Sequence, residues 1–228
     1  MIVLDKISKK FNTKEVLKDI SLKIGEGEII GFLGPNGAGK TTTMRIIVGY
    51  LKPTSGSVRL DGEDPIAQRL NVLTQIGYLP ENNPLYTDMK VDEYLQFIVD
   101  TKNSTGDFLR SIIEETGISD VLSSKIEELS RGFKQRVGLA AALIGNPKII
   151  IFDEPTSGLD PLEQEKIRDL IKKLGKKRTV ILSTHILSEV VDVATRVIII
   201  NKGIIVYDGP KPKTDTAMEA LFKKATGN

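Results

Sequence analysis

At 228 residues the chain has room for one domain or two small ones, and 40% hydrophobic residues are enough to bury a sizeable core. Its 32 basic and 30 acidic residues nearly cancel, so a formal net charge of +2 gives no global argument for nucleic acid or an anionic membrane surface, and no nucleic-acid partner is expected. The lack of cysteine rules out disulfides and thiolate metal sites. The opening "MIVLDKISKK" lacks the apolar core of a leader peptide and no run approaches the ~18 apolar residues of a membrane span, so the expectation is a soluble, cytoplasmic chain.

In chain order, residues 1–33 read as strands and turns: "IVLDKISKKF", "NTKE", "VLKDISLKI", "GEGE" and the wholly apolar "IIGFL". That last strand runs into "GPNGAGKTTT", whose continuation has helical spacing to about Val48 and stops at Gly49. "SGSVRLDGED" reads as a short strand closed by an Asp-Gly turn, and "IGYLP" as another strand ended by Pro80. From about Glu81 to Ile144 the pattern turns helical, with apolar positions at Tyr94, Leu95, Phe97 and Ile98, then Phe108, Leu109, Ile112 and Ile113. This insert is acidic: residues 87–128 hold ten Asp/Glu against four Lys/Arg, a local net charge of −6 that fits a solvated helical face. After Pro147, strand and helix alternate. "KIIIFDEP" is a continuous apolar strand of the kind buried on both faces of a parallel sheet. Asp160 then caps a helix with Pro161 at its first position, Glu163 closing a capping box, a stripe of Ile167, Leu170, Ile171 and Leu174, and Gly175 at its end. "RTVILST", "HILSEVVDVA", a hairpin of "RVIII" and "IIVYDG" about residues 201–203, and a short helix over 216–224 complete an α/β core with a helical insert.

Two stretches carry phosphate chemistry. "GPNGAGKT" matches G-x-x-x-x-G-K-[ST] in full, after a strand and before a helix, as phosphate binding requires. Gly34, Gly37 and Gly39, with Pro35, Asn36 and Ala38 between them, let backbone N–H groups wrap the phosphates; Lys40 reaches the β and γ phosphates, and Thr41, followed by Thr42, offers its hydroxyl to Mg²⁺. "IIIFDEPT" supplies the rest of the site: Asp153 for the water shell of Mg²⁺ and Glu154 to orient or deprotonate the attacking water. His185, the only histidine, ends "VILST" beside the sheet edge where the loop and Asp153 emerge, within reach of a γ-phosphate. "LSRGFKQR" reads as a second anion-suited helix start, with Ser130 as N-cap and Gly132 for close approach of a ligand.

"GPNGAGKTT", "LSRGFKQR", "IIIFDEPTSGLD" and "STH", in this order and spacing, resemble the nucleotide-binding subunit of an ATP-binding cassette (ABC) transporter over residues 1 to about 222. The resemblance implies one cassette domain over 1–228: a P-loop NTPase RecA-like α/β core over about 1–80 and 147–228, an N-terminal antiparallel β subdomain, and a helical subdomain over about 81–146. It implies that Phe11 stacks on adenine, although an aromatic in an early strand also fits a core, that 157–160 ("SGLD") is a dimer-contact loop, and that His185 is the switch histidine. It implies ATP and Mg²⁺ as cofactors and hydrolysis between two such chains, a homodimer or a heterodimer with a similar ATPase. Ser130 and Gly132 of one would close over the phosphate held by Lys40 of the other. An integral membrane permease subunit would dock in a groove involving residues 81–94, with the ATPase peripheral on the cytoplasmic face of the cell membrane.

Two positions depart from the family pattern. The usual LSGGQ reads Leu129, Ser130, Arg131, Gly132, Phe133, and the glutamine expected after "GYLP" is Glu81. Gln75, read as part of the same strand, lies six residues too early to replace it. A carboxylate at 81 adds a ligand for Mg²⁺ or its water and repels a γ-phosphate without the metal, which predicts more metal-dependent catalysis. "GYLPE" with "GFKQRV" is similar to the ABC-2 branch, whose members serve exporters of drugs, lipids or other amphiphiles. The alternatives are a non-transport ABC-type ATPase and a cassette that binds ATP as a regulatory switch without turnover.

Overall fold

The computed structural model describes residues 1–227. Strands β1 (Ile2–Phe11), β2 (Lys14–Ile24) and β4 (Ser55–Leu60) form an antiparallel sheet in the order β2-β1-β4. Strands β3 (Ile29–Leu33), β5 (Ile76–Leu79), β6 (Ile149–Asp153), β7 (Thr179–Thr184), β8 (Arg196–Asn201) and β9 (Ile204–Pro210) form the main sheet in the order β5-β6-β7-β3-β8-β9. It is parallel from β5 through β8, and only β9 runs against its neighbour. Period-two alternation divides the main sheet between two cores. Ile150 and Phe152 of β6 face the insert helices, while Ile149 and Ile151 face the antiparallel sheet and α1 (Lys40–Ile47). The α/β class, the β subdomain and the helical insert are as expected.

Turn chemistry closes the hairpins. Asp61 and Gly62 both have positive φ, as do Lys202 and Gly203, the two-residue geometry that matches strand twist. Helices α3 (Val91–Thr101), α4 (Leu109–Thr116) and α5 (Arg131–Leu143) make up the insert, and Val91, Leu95, Ile112 and Ile126 belong to one apolar cluster with Ile150, Phe152 and Leu182 of the sheet. The insert is thus welded to one face of the sheet. The segment 81–90 that opens it carries no helix. Helices α6 (Pro161–Gly175), α7 (Leu187–Val193) and α8 (Asp215–Thr226) complete the fold.

Several expectations change. A helix α2 (Arg69–Gln75) precedes β5, so Gln75 closes a helix instead of lying in the strand. With only Val72 buried and no side-chain cap, α2 has no amphipathic signal to read. Phe97 and Phe108 are exposed, Phe97 packing edge-on to Tyr86 at 5.4 Å. Asp160 caps α6 through the Glu163 N–H at 3.0 Å, but Glu163 does not complete a box; its carboxylate turns to Lys166 (2.8 Å) and Arg136 (3.5 Å). Gly175 is the last helical residue rather than a left-handed terminator. Its missing side chain lets α6 close on Ile29, whose Cδ1 would lie 2.2 Å from a Cβ there.

Candidate active site

The carboxyl ends of β3, β7 and β6 lie side by side, with Leu33 opposite Thr184 and Asp153 opposite Ser183. This is where open α/β sheets bind ligands. The loop from β3 enters α1 through Gly39 at φ 114°, a conformation that excludes a side chain, and α1 has no side-chain N-cap. Its first N–H groups are therefore left for an anion at the positive helix end. Beyond β6, Glu154 is left-handed at φ 52°, a cost on the order of 1–3 kcal/mol for a non-glycine residue. The turn brings its carboxylate back over the strand end.

Glu154 sits between two cations or potential cations. Its Oε1 lies 3.3 Å from Lys40 Nζ and its Oε2 2.8 Å from His185 Nδ1, and its N–H donates to the Ser183 carbonyl at 2.8 Å. Lys40 also donates to the Gly34 carbonyl at 2.8 Å. Lys40 and Glu154 are buried and His185 is exposed. Asp153 is fully buried; Oδ1 accepts from the Ser183 hydroxyl at 2.8 Å, and Oδ2 has no hydrogen-bond partner. Burial holds its pKa above the usual carboxylate range, helped by the charges of Glu154 and Glu81 and opposed by the hydroxyls of Ser183 and Thr41. A buried oxygen with no donor beside a threonine hydroxyl offers hard ligands to a small divalent cation.

These groups border a cleft of about 810 Å³ whose walls include Asn36, Gly37, Gly39, Lys40, Thr41, Thr42, Glu81, Glu154, Ser157 and His185. The fold therefore brings together the loop, the two catalytic candidates beside it, and Glu81. Asp153 lies beneath. Pro35 and Ala38 do not line the cleft: they close the loop on itself (Ala38 N–H to the Pro35 carbonyl, 3.1 Å) and tie it to the β8–β9 turn (Gly203 N–H to the Ala38 carbonyl, 3.0 Å). Phe11 is 45% exposed at the end of β1 with Lys9 Nζ 5.0 Å from its ring. It is no core residue, and it stands outside the cleft wall beside its pairing partner Lys14, which lines it.

Ser130 and Gly132 lie away from the cleft. Ser130 caps α5, its hydroxyl accepting from Phe133 N–H at 3.3 Å. The space above Gly132, expected to admit a ligand, is filled by Glu163 of the same chain, whose Oε2 would lie 2.7 Å from a Cβ. Arg131 extends over the 157–160 loop, where a Cβ at Gly158 would lie 2.3 Å from its Nη1. Reading the sequence missed the cleft residues Lys14, Glu15, Val16 and Lys18 of β2 and Lys202 of the β8–β9 turn, because their alternating charges look like any solvated strand face. It also missed Glu189, fully buried on α7, which receives hydroxyl hydrogen bonds from Thr156 and from Thr184 (2.8 Å). Burial raises its pKa and the two hydroxyls oppose this.

A nucleoside triphosphatase with a helical insert on a parallel core is the class that this cleft defines. The sequence pattern of the ABC transporter family matches residues 17–157. The chain is similar to the ABC transporter ATP-binding protein YdbJ of Bacillus subtilis, 39% identical over 95% of this chain and 71% of that one. Among solved structures it is similar to the dimeric post-hydrolysis state of the ATP-binding cassette MJ0796 bound to ADP and Pi, with a TM-score of 0.83 and 28% identity, covering 93% of this chain and 99% of that one. It is also similar to cbiO1 from Clostridium perfringens, part of the ABC transporter complex cbiONQ, with a TM-score of 0.84 and 28% identity over 98% and 93% of the two chains. The chain belongs to the ABC transporter family, and it is an ABC ATPase.

Proposed function

We propose that the chain is the ATP-hydrolysing subunit of an exporter, one cassette domain that works in pairs on a separate integral membrane permease at the cytoplasmic face of the membrane. The observation that carries this reading is Glu154 held between Lys40 and His185 at the mouth of an uncapped helix. An arriving γ-phosphate draws Lys40 Nζ from Glu154 Oε1, because a phosphate carries more charge than one carboxylate. The freed oxygen orients a water against the γ-phosphorus and takes its proton. As the new P–O bond forms, the bond to the β,γ-bridging oxygen breaks, and ADP and phosphate leave. His185, hydrogen-bonded to Oε2, fixes the carboxylate and meets the phosphate from the other side.

Mg²⁺ fits beside the Thr41 hydroxyl and Asp153, whose Oδ2 is buried without a partner. When bound, the ion neutralises charge on the phosphate oxygens. Glu81, on the cleft wall, adds a carboxylate facing the same space and makes turnover more metal-dependent than an amide would. Phe11, at the rim, closes on the adenine face.

Pairing is supported by Ser130 lying off the cleft of its own chain, which leaves it to complete a second chain's site, while Glu163 covers Gly132 beside it. Docking on a permease is supported by a groove of about 750 Å³ between α2 and the insert, lined by Leu70, Leu73, Pro84, Tyr94 and Ile98 among others. Leu70 is 81% exposed there, an apolar side chain that a partner helix would cover. No helix among the described residues is long and apolar enough to cross a membrane, so the path for the solute is assigned to the permease. Export follows the similarity of "GYLPE" and "GFKQRV" to the ABC-2 branch.

Glu154→Gln tests the chemistry. ATP binding is expected to be retained while hydrolysis falls ~10³-fold, roughly 4 kcal/mol of barrier; a normal rate would refute the assignment of Glu154. Recovery of a polytopic membrane protein with the tagged chain tests the transport reading, which recovery of ribosomes or DNA instead would sink.

A further inference from the structure

Glu189 is the one fully buried carboxylate outside the phosphate site among the described residues. No cation among those residues lies within ion-pair distance of it. Arg168, whose charge reaches it, is engaged with Asp192 at 3.2 Å. Burying a carboxylate without a paired cation costs several kcal/mol, and an apolar side chain of similar size packs as well at lower cost. What it does with its two oxygens is specific. Oε1 accepts from the Thr156 hydroxyl, two residues beyond Glu154, and Oε2 accepts from the Thr184 hydroxyl at 2.8 Å, one residue before His185. The Thr184 oxygen also accepts from the Ile186 N–H at 3.0 Å, which orients its proton toward Glu189. The Glu154 loop leaves β6 and the His185 loop leaves β7, and Glu189 ties both from beneath.

We propose that Glu189 is a positioning residue for hydrolysis: by gripping Thr156 and Thr184 it fixes the Glu154 and His185 loops in one geometry, so that the carboxylate and the imidazole meet at hydrogen-bond distance. This rests on the roles given to Glu154 and His185 above. An amide at 189 keeps the volume but has one acceptor oxygen for two donors, so one threonine hydroxyl must turn its proton away and accept from the NH₂ group, exchanging a charge-assisted bond for a weaker neutral one. The grip on that loop is weakened, and a displacement of about 1 Å at such a site costs up to ~10²-fold in rate.

The test compares Glu189→Gln, Thr184→Val, Thr184→Ser and the double variant Glu189→Gln/Thr184→Val by steady-state ATPase kinetics and thermal unfolding. His185 is the chain's only histidine, so its imidazole resonances report the Glu154 contact without assignment from other residues. Glu189→Gln is expected to lower kcat by about tenfold or more, with KM for ATP within about twofold and an altered imidazole signature. Thr184→Ser retains the hydroxyl and the rate. Thr184→Val reproduces Glu189→Gln, and the double variant is no slower than either, since both cut one connection. A Glu189→Gln enzyme with wild-type kcat and imidazole resonances overturns the proposal, as does a rate loss that only follows the melting temperature. If Glu189→Gln does not fold, the Thr184 pair decides, and equal rates for Val and Ser overturn it. Glu154→Gln run alongside separates the two claims: a fully active Glu154→Gln refutes the hydrolytic role, while the imidazole signature still tests the grip of Glu189.

Discussion

Helices α1 and α5 both begin where an anion is welcome, and they are finished in opposite ways. The N-terminus of α1 has no side-chain cap, follows a left-handed glycine, and carries a buried Lys40 pointing back over its own loop. The N-terminus of α5 has Ser130 on the Phe133 N–H, Gly132 against Glu163, and Arg131 over Gly158. The first end leaves its donors open and brings its own cation, so it can hold a phosphate alone. The second is braced against the start of α6 and the 157–160 loop. What it offers to a phosphate comes from a rigid edge, which another molecule must approach. Arg131, where the family pattern implied by the resemblance has glycine, lies against that loop.

If the two ends differ in this way, Ser130→Arg has the largest effect. It is expected to abolish ATP-dependent pairing and turnover while leaving the ATP affinity of the monomer nearly unchanged. The lost cap costs only ~1 kcal/mol of stability. Light scattering with nonhydrolysable ATP and nucleotide titration of the monomer check it, and a large loss of monomer affinity would erase the distinction. Asp153→Asn probes the α1 side. The raised pKa of Asp153 means that its contribution to folding is present while it is protonated and is lost as pH rises through that pKa, so the charged form weighs on the nucleotide-free fold at neutral pH. The variant is expected to melt higher than the parent without nucleotide and to lose metal-dependent hydrolysis; a lower melting temperature would contradict this.

Arg131→Ala is expected to speed hydrogen exchange in the 157–160 loop and slow turnover a few-fold, with ATP affinity intact. The smallest effect is at the far end of α5. Lys102 Nζ donates to the carbonyls of Ala141 (3.1 Å) and Ile144 (2.8 Å), and burial pulls its pKa to about 8 from 10.5. Between those values the unfolded chain binds more protons than the folded one, so this residue makes stability rise with pH through that window and fall as pH drops through about 8. Denaturant midpoints across the window, compared with Lys102→Met, should show the rise only in the parent.

Much of this was legible in the sequence because the signals are local. The phosphate loop announces itself by spacing, β6 by an unbroken apolar run, and α6 by Asp160 and Pro161. What stayed hidden depends on chain distant in sequence. Glu163 reads as half of a capping box until α5 arrives beside it with Arg136 and a bare Gly132. Glu189 reads as a polar position on an ordinary helix until two strands deliver Thr156 and Thr184 to it. Lys14 and Lys202 become cleft residues only when the antiparallel sheet docks over the loop.

The left-handed turn at Glu154 has a consequence for how such a chain ages. Glycine would take φ 52° without strain, and asparagine more readily than glutamate. Both replacements would relax the backbone, remove the carboxylate proposed to prepare the water, and leave Lys40 unpaired. The backbone relief of about 1–3 kcal/mol is set against a buried Lys40 left without its counter-ion, so a lineage that ceases to need turnover gains folding stability at this position only if Lys40 changes as well.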